Sequence, residues 1–425
     1  MTKSTEINID SHQRELLIKQ LEYVNTHSQF YKEHFKRHNF NPSEVKSPAD
    51  LKRLPTIDKR DIQNDYKAFW CVGAEQIVDY TNTSGTEGKP ITIPMTQADL
   101  KRLAYNEQCS LQLAGGDSHE IYQLTTTTDR RFMAGLAYTL GAHKLGAGLV
   151  RMGPGLPELQ WRTIDELQTT ALIIVPSFLV KLISYAEEQG IDYKNTSVKK
   201  AICIGEPIRD SDFSLNALGR RIKDAWDIEL YSTYASSEMA TAFTECEEGK
   251  GGHLLTDLII AEILDEEGNE VPDGQPGELT ITTLGVEGFP LVRFRTGDIC
   301  TKHSASCSCG RTTPRLGPVV GRKYQMIKVK GTTCYPPAIF NVLDNIPQIS
   351  HYQIEISNDE FGNDQLLVRY AVSEDVSKKT LIEHFKSGIR LTPQLELTSS
   401  QDLVPLIHQP SSRKPIKLVD LRGNY

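Results

Sequence analysis

The sequence predicts an α/β protein: a large multi-sheet amino-terminal domain with an antiparallel β subdomain, followed by a small α+β carboxy-terminal domain. Three observations lead there. Short apolar runs alternate with helical stretches through the middle of the chain. From about residue 257 the runs pair across a turn, and beyond Arg322 a helix–strand–strand–helix order is readable. At 425 residues the chain exceeds one compact core, and the expected domains are 1–322 and 323–425.

The first element is an amphipathic helix, because Leu17, Leu21 and Val24 recur at i, i+4 and i+7 among charged neighbours. Residues 121–124, 148–150, 172–175, 201–204 and 228–231 are short and mostly apolar, as buried parallel strands are. Helices are expected at 178–189 and 211–226, in βα alternation. Residues 259–264 and 278–283 flank the turn-rich 273–277 and read as antiparallel strands. In the small domain, helices are expected at 336–345 and 376–389, with strands at 352–356 and 365–371 joined by the turn 358–363. No internal repeat or low-complexity segment is present.

The chain is 39% hydrophobic and 24% charged, an ordinary globular balance. Its formal charge of −8, with no long basic run, argues against nucleic acid as a partner. The first six residues are polar and lack the apolar core of a signal peptide. The longest apolar stretch, 171–183, is broken by Pro176 and Lys181, so no membrane span is expected. Eight cysteines without an export signal favour reduced thiols and a cytoplasmic location.

Residues 80–90 read Tyr-Thr-Asn-Thr-Ser-Gly-Thr-Glu-Gly-Lys-Pro. Thr83, Ser84 and Thr86 offer hydroxyls, Gly85 and Gly88 let backbone N–H groups approach an anion, and Lys89 adds positive charge. A polyphosphate suits this loop. The order is not that of a P-loop NTPase, since Pro90 stands where Ser or Thr would hold Mg²⁺. Alone, the segment reads equally as a polar surface loop.

Further segments follow in order. Gly205-Glu206-Pro207 comes after the apolar run 201–204, and Tyr234-Ala235-Ser236-Ser237-Glu238 after 228–231. Then come Gly277-Glu278-Leu279 with Thr282-Thr283-Leu284, Arg293-Phe294-Arg295-Thr296-Gly297-Asp298, Gly321-Arg322, and Arg413-Lys414-Pro415 before Asp420-Leu421-Arg422. With the loop at 80–90, this series resembles the acyl-adenylating, AMP-binding superfamily. The segments 28–35 and 47–62 are similar to its phenylacetate–CoA ligase branch, so the resemblance covers nearly the whole chain.

The resemblance implies an adenylate-forming amino-terminal domain and a mobile carboxy-terminal domain. It makes Thr83 to Lys89 the phosphate loop, with Glu87 in place of the usual threonine. Gly205, Glu206 and Pro207 run along the adenine edge, Tyr234 stacks on adenine, and Ser237 lies beside Glu238, the Mg²⁺ ligand. Asp298 accepts from both ribose hydroxyls. Arg322 and Lys323 mark the hinge, although Tyr324-Gln325 stand where the family has two acidic residues. Lys414 approaches the α-phosphate and carboxylate, and Lys330-Gly331 belongs to the loop used in the thioester step. Tyr138 and Ala235 are the candidate acyl-pocket residues. Tyr138 lies in the small-residue run Ala134-Gly135-Leu136-Ala137, which reads equally as helix packing.

Cys246, His253, Cys307 and Cys309 supply three thiols and one imidazole in two local pairs, a donor set suited to tetrahedral Zn²⁺ in a structural role. Buried free cysteines, acting as small hydrophobes, are the alternative.

The expected activity is an ATP- and Mg²⁺-dependent carboxylic acid ligase that forms an acyl-adenylate and then an acyl-CoA thioester, with an aryl or arylalkyl acid as substrate. Two alternatives stand beside it. The acyl group passes to a carrier protein in one; in the other, the chain binds nucleotide without catalysis. The expected partners are a small carboxylic acid and CoA, with a homodimer as the oligomeric expectation.

Overall fold

The computed structural model describes residues 9–83, 90–329, 332–359, 363–409 and 415–422. Contacts divide the chain into two compact units, Met1–Leu215 with Gly219–Val319, and Asn216–Leu218 with Val320–Tyr425. Among the described residues no helix is long and apolar enough to cross a membrane.

The first unit opens with helices α1 (Ile9–His27), α2 (Gln29–Arg37) and α3 (Lys59–Asn64). Leu17, Leu21 and Val24 of α1 are fully buried, as their spacing requires. Gln20 exchanges two hydrogen bonds with the backbone of Val286, and Tyr31 accepts from the Val292 N–H at 2.8 Å. These bonds tie the amino-terminal helices to the β region far along the chain.

Strands β1 (Asp79–Asn82) and β2 (Thr92–Met95) form an antiparallel hairpin. Then α4 (Gln97–Leu113), β3 (Ile121–Leu124), α5 (Met133–Leu145), β4 (Gly148–Arg151), α6 (Pro157–Leu167), β5 (Ala171–Ile174), α7 (Pro176–Gln189), β6 (Lys200–Ile204), α8 (Ala217–Ala225) and β7 (Glu229–Ser236) alternate as predicted. Five of these strands lie parallel in the order β7-β6-β5-β3-β4. β5 and β6 are buried at every position, which is why Ala171–Ile174 and residues 201–204 read as apolar runs, while Lys200 at the start of β6 is buried through its ion pair with Glu120.

Two sequence expectations are corrected here. The helix expected at 211–226 begins only at Ala217. Before it, Asp212 accepts from the N–H and hydroxyl of Ser214, and Phe213 takes a φ of 69°, so a tight side-chain-to-backbone turn replaces the first turns of helix. The strand expected at 228–231 runs on through Ser236, so Tyr234 and Ala235 lie on β7 itself.

Strands β8 (Thr241–Thr244), β9 (Gly252–His253), β13 (Lys302–His303) and β14 (Arg315–Leu316) extend this sheet beyond β7 in the order β7-β8-β9-β14-β13, each antiparallel to its neighbour. A second sheet pairs β10 (Ile259–Leu264), β11 (Gly277–Thr283) and β12 (Phe294–Cys300) in antiparallel order, as expected. Its bulge between Glu278 and Thr280 faces Gly297, whose φ of 81° a side chain would resist.

The second unit starts with the short strands β15 (Gly321–Arg322), β16 (Ile327–Val329) and β17 (Thr332–Cys334) and helix α9 (Pro336–Asp344). A long hairpin of β18 (Ile349–Asn358) and β19 (Asp364–Val372) follows, then α10 (Lys378–Ile389), β20 (Gln394–Leu397), α11 (Ser400–Ile407) and β21 (Leu418–Asp420). Its own core is built from Ile339, Leu343, Ile354, Ile356, Val368 and Phe385, all fully buried.

Candidate active site

The parallel register puts the carboxyl ends of β3, β5, β6 and β7 on one edge, where open α/β sheets place their ligands. Leu124 lies opposite Ile173, Ile174 opposite Cys203, and Ile204 opposite Thr233. Gly205-Glu206-Pro207 and Tyr234 therefore emerge side by side. The Tyr234 hydroxyl donates to Asp298 Oδ2 at 2.6 Å, which brings in a third segment from the other sheet. Asp298 is 7% exposed, and its place on β12 excludes a simple turn role. One face of the Tyr234 ring stacks near Phe243, with centroids 5.9 Å apart and planes 15° from parallel.

Gly205 adopts a φ of 75°, the left-handed turn that glycine favours at the strand end. Glu206 bonds the start of α7: its carboxylate accepts from the Ser177 N–H and hydroxyl, both at 2.9 Å. Its charge thus satisfies a helix amino terminus instead of facing a ligand. The arginines of the 293–298 motif are likewise structural. Arg293, 3% exposed, forms a forked pair with Glu262, and Arg295 pairs with Glu278 at 2.6 Å.

Of the candidate phosphate loop, Thr83 is described, whereas Ser84, Gly85, Thr86, Gly88 and Lys89 lie outside the described residues, as does Glu87. Thr83 closes the neck of the hairpin. Its N–H donates to the Ile91 carbonyl and its hydroxyl accepts from the Ile91 N–H, each at 3.0 Å. Ser237 and Glu238 line a narrow cleft with Met95, Asp99, Arg102 and Met133. Asp99 is committed to the N–H groups of Glu287 and Gly288, and the partly exposed Glu238 carboxylate suits Mg²⁺, which draws most of its ligands from water and substrate phosphates.

Tyr138 is 3% exposed, shares a hydrogen bond with Thr233, and packs in a core with Leu111, Leu124 and Ile204. Ala235 is exposed on β7, and Arg322 lies on β15 of the second unit. Lys414 and Lys330-Gly331 lie outside the described residues. Lys417 is held within its own unit: Nζ donates to Tyr352 Oη at 2.8 Å, sits 4.4 Å from that ring's centroid, and pairs with Asp344.

Cys246, His253, Cys307 and Cys309 converge although about sixty residues separate the two pairs, and their ligand atoms all lie within 4.8 Å of one another. Cys246 Sγ is 3.7 Å from Cys307 Sγ, and Cys309 Sγ is 3.6 Å from His253 Nε2. Zinc–sulfur bonds of about 2.3 Å at tetrahedral angles give sulfur–sulfur edges of about 3.8 Å, so the cage fits that ion. Burial, helped by Arg311 and Arg315, pulls the His253 pKa down to about 4, leaving the imidazole neutral for a metal. Thr313 Oγ1, 3.1 Å from Nδ1, orients the ring.

Sequence reasoning missed several partners. Arg209 forks onto Glu245 at 2.8 and 2.9 Å, and Glu245 also accepts from the Ser232 N–H, linking the 205–209 segment to the residue before Cys246. The adjacency of Glu245 to Cys246 was the only local signal. Glu107 is buried on α4, hydrogen-bonded by Asn106, and burial pushes its pKa up to about 8. Nothing in its spacing distinguishes it from a surface glutamate.

Residues 23–287 match the AMP-binding enzyme family. The chain is 29% identical over 372 residues to the phenylacetate-coenzyme A ligase of Thermus thermophilus, covering 85% of this chain and 81% of that one. It is 30% identical to the phenylacetate-coenzyme A ligase of Pseudomonas putida over 351 residues, 81% and 78% of the two chains. The fold is similar to that of 2-hydroxyisobutyryl-CoA ligase in the postadenylation state in complex with 2-HIB-AMP. That match has a TM-score of 0.83 and 23% identity, and covers 97% of this chain and 89% of the other. The chain belongs to the AMP-binding enzyme family, as a phenylacetate–CoA ligase-like member.

Proposed function

We propose that this protein is an ATP-dependent acid–thiol ligase that converts a carboxylic acid to an acyl-adenylate and then to an acyl-CoA thioester, with an aryl or arylalkyl acid as substrate. The observation that carries the reading is the convergence of Gly205–Pro207, Tyr234 and Asp298 at one sheet edge. A carboxylate fixed at 2.6 Å by a tyrosine keeps acceptor capacity for ribose hydroxyls.

A carboxylic acid is a weak electrophile whose hydroxide leaves poorly. Attachment of AMP supplies a good leaving group. In this reading the 83–89 segment and Glu238 with Mg²⁺ hold the polyphosphate, and Asp298 and Tyr234 hold the nucleoside. Lys414 stabilises the charge that develops as the acyl–phosphate bond forms. The second unit then turns about Arg322-Lys323, withdraws Lys414 and presents the Lys330-Gly331 loop for thiol attack. The Cys246, His253, Cys307 and Cys309 cage holds a structural Zn²⁺ that joins the loop after β8 to the loop between β13 and β14.

The test is acid-dependent ATP–pyrophosphate exchange over a panel of aryl, arylalkyl and short aliphatic acids, followed by capture with CoA or with a phosphopantetheine-bearing carrier protein. Exchange with aryl acids and capture by CoA are expected. Absence of exchange with every acid would overturn the catalytic reading, and capture by the carrier alone would replace the acceptor.

A further inference from the structure

We propose that the buried ion pair of Arg209 and Glu245 couples the cage of Cys246, His253, Cys307 and Cys309 to the nucleotide site, so that bound Zn²⁺ tightens ATP binding and bound ATP tightens Zn²⁺ binding. The inference rests on the ligase reading and the zinc site above, and adds that the two communicate through this pair. Glu245 is 2% exposed and lies between the end of β8 and the first cage cysteine. Its carboxylate meets three segments at once. The Arg209 Nε–H is shared between both carboxylate oxygens, at 2.8 and 2.9 Å. The Ser232 N–H donates to Oε2 at 3.0 Å, and the Gly251 N–H donates to the same carboxylate. Ser232 stands two residues before Tyr234 on β7, Arg209 two residues after Pro207, and Gly251 two residues before His253. One buried carboxylate thus touches the adenine-edge segment, the strand that carries the adenine tyrosine, and the cage loop.

The guanidinium is also held from its other side. Arg209 Nη1 donates to the Phe213 carbonyl at 3.1 Å. The backbone at Gly249, with a φ of 60°, packs so closely on the guanidinium that a side chain there would collide with it. The Gly249 N–H closes a turn on the Cys246 carbonyl at 3.0 Å. Residues 246–253 therefore form the wall against which Arg209 rests, and the first and last of them are cage donors. A metal in the cage fixes both ends of that wall to Cys307 and Cys309. Arg315 joins the same two loops through the carbonyls of Lys250 and Ala305, at 2.8 and 3.1 Å, so the metal-free chain should keep its fold while the wall loosens. The pair is largely shielded from water, with 14% of the Arg209 and 3% of the Glu245 side chain exposed, so solvent screens it little. Loosening of the wall then reaches Gly205–Pro207 through Arg209 and Tyr234 through Ser232. A metal that has already ordered these segments leaves less ordering for ATP to bring about, which is positive coupling.

The test measures ATP binding by calorimetry on the full chain, with Mg²⁺ present, before zinc removal, after it, and after zinc is restored. The dissociation constant should rise about tenfold on removal, within the usual range of coupling between sites, and recover with Zn²⁺. Coupling is reciprocal, so saturating ATP should tighten zinc by the same factor in competition with a chromophoric chelator. Arg209→Gln/Glu245→Gln removes both charges together, so neither is left buried alone. This variant should still bind one zinc, yet show one ATP affinity with and without it. A purely structural pair would lower stability without abolishing that difference. Circular dichroism checks that the metal-free chain stays folded. If it does not, zinc transfer from the loaded chain to the chelator is timed instead: ATP should slow it about tenfold in wild type and not in the double variant. Equal ATP affinity with and without zinc in wild type, or no slowing of transfer, overturns the proposal. So does a double variant that keeps the tenfold difference. A wild type that binds no ATP counts against the ligase reading, and one that holds no zinc counts against the cage; either removes this coupling too. A wild type that binds both independently counts against the coupling alone.

Discussion

The hydroxyl of Tyr234, on β7 of the parallel sheet, donates to the carboxylate of Asp298, on β12 of the antiparallel sheet, at 2.6 Å. The bond joins two motifs 64 residues apart and pins the tyrosine ring, one face of which lies against Phe243. Tyr234→Phe keeps the ring and removes the bond, so the KM for ATP should rise about fivefold, the effect of one hydrogen bond. Tyr234→Ala should cost more. Equal KM values in wild type and both variants would remove Tyr234 from the nucleotide site.

Lys414→Ala should lower adenylation by about 10²–10³-fold while ATP binding is nearly kept, by analogy with loss of one oxyanion donor. Supplied with preformed acyl-adenylate, the variant should still make thioester. Lys417→Ala serves as the contrast, because Lys417 is committed to Tyr352 and Asp344 and its loss should lower stability more than exchange. Intact exchange in Lys414→Ala, or equal loss of both half-reactions, would reject the assigned role.

Protein purified without an affinity tag should hold one zinc per chain. Cys307→Ser should leave it substoichiometric, and chelation of the wild type should free thiols to react with an aromatic disulfide. A structural site contributes to folding, so the melting temperature should drop with the metal. Zinc content unchanged by Cys307→Ser would reject the cage as the binding site.

Glu107 makes stability depend on pH. Burial raises its pKa from 4.5 to about 8, so between those values the folded chain holds a proton that the unfolded chain has lost. Its contribution is most favourable below about pH 4.5, declines as pH rises toward 8, and stays at the lower value above. Glu107→Gln should therefore stabilise the protein at pH 8 relative to wild type, with the difference shrinking toward pH 5. Urea unfolding at the two pH values measures this. A variant less stable at pH 8 would mean the carboxylate is ionised and paired.

The Arg422 side chain is 3% exposed and bonds Asp420, Asp364 and the carbonyls of Tyr324 and Met326. It clamps the segment entering the second unit to that unit's last strand. Removal leaves two largely buried carboxylates without their cation, and Arg422→Met should destabilise the unit by about 3–5 kcal/mol. Arg422→Lys should rescue little, since one ammonium cannot reach this planar set of acceptors. Hydrogen exchange at residues 324–328 would report the loss, and unchanged protection there would reject the clamp.

Most elements and the order of the site motifs were legible in the sequence, because β5 and the 201–204 stretch of β6 are buried on both faces and are apolar throughout, and because α1 shows its buried face at helical spacing. The metal donors were legible as residue types in two local pairs, and the motifs as short segments at strand ends. Tertiary structure decided which of these side chains meet. Parallel register set Gly205 beside Tyr234, the packing of two sheets brought Asp298 to the tyrosine hydroxyl, and the pairing of β9 with β14 folded Cys307 and Cys309 back toward Cys246 and His253. It also gave Glu206 to the start of α7, Arg209 to Glu245, and a turn at Phe213 where the βα alternation suggested helix. The physical reason is range. Apolar periodicity and turn chemistry act within a few residues, whereas a hydrogen bond or a cluster of thiols and imidazole joins groups that only the completed sheets bring together.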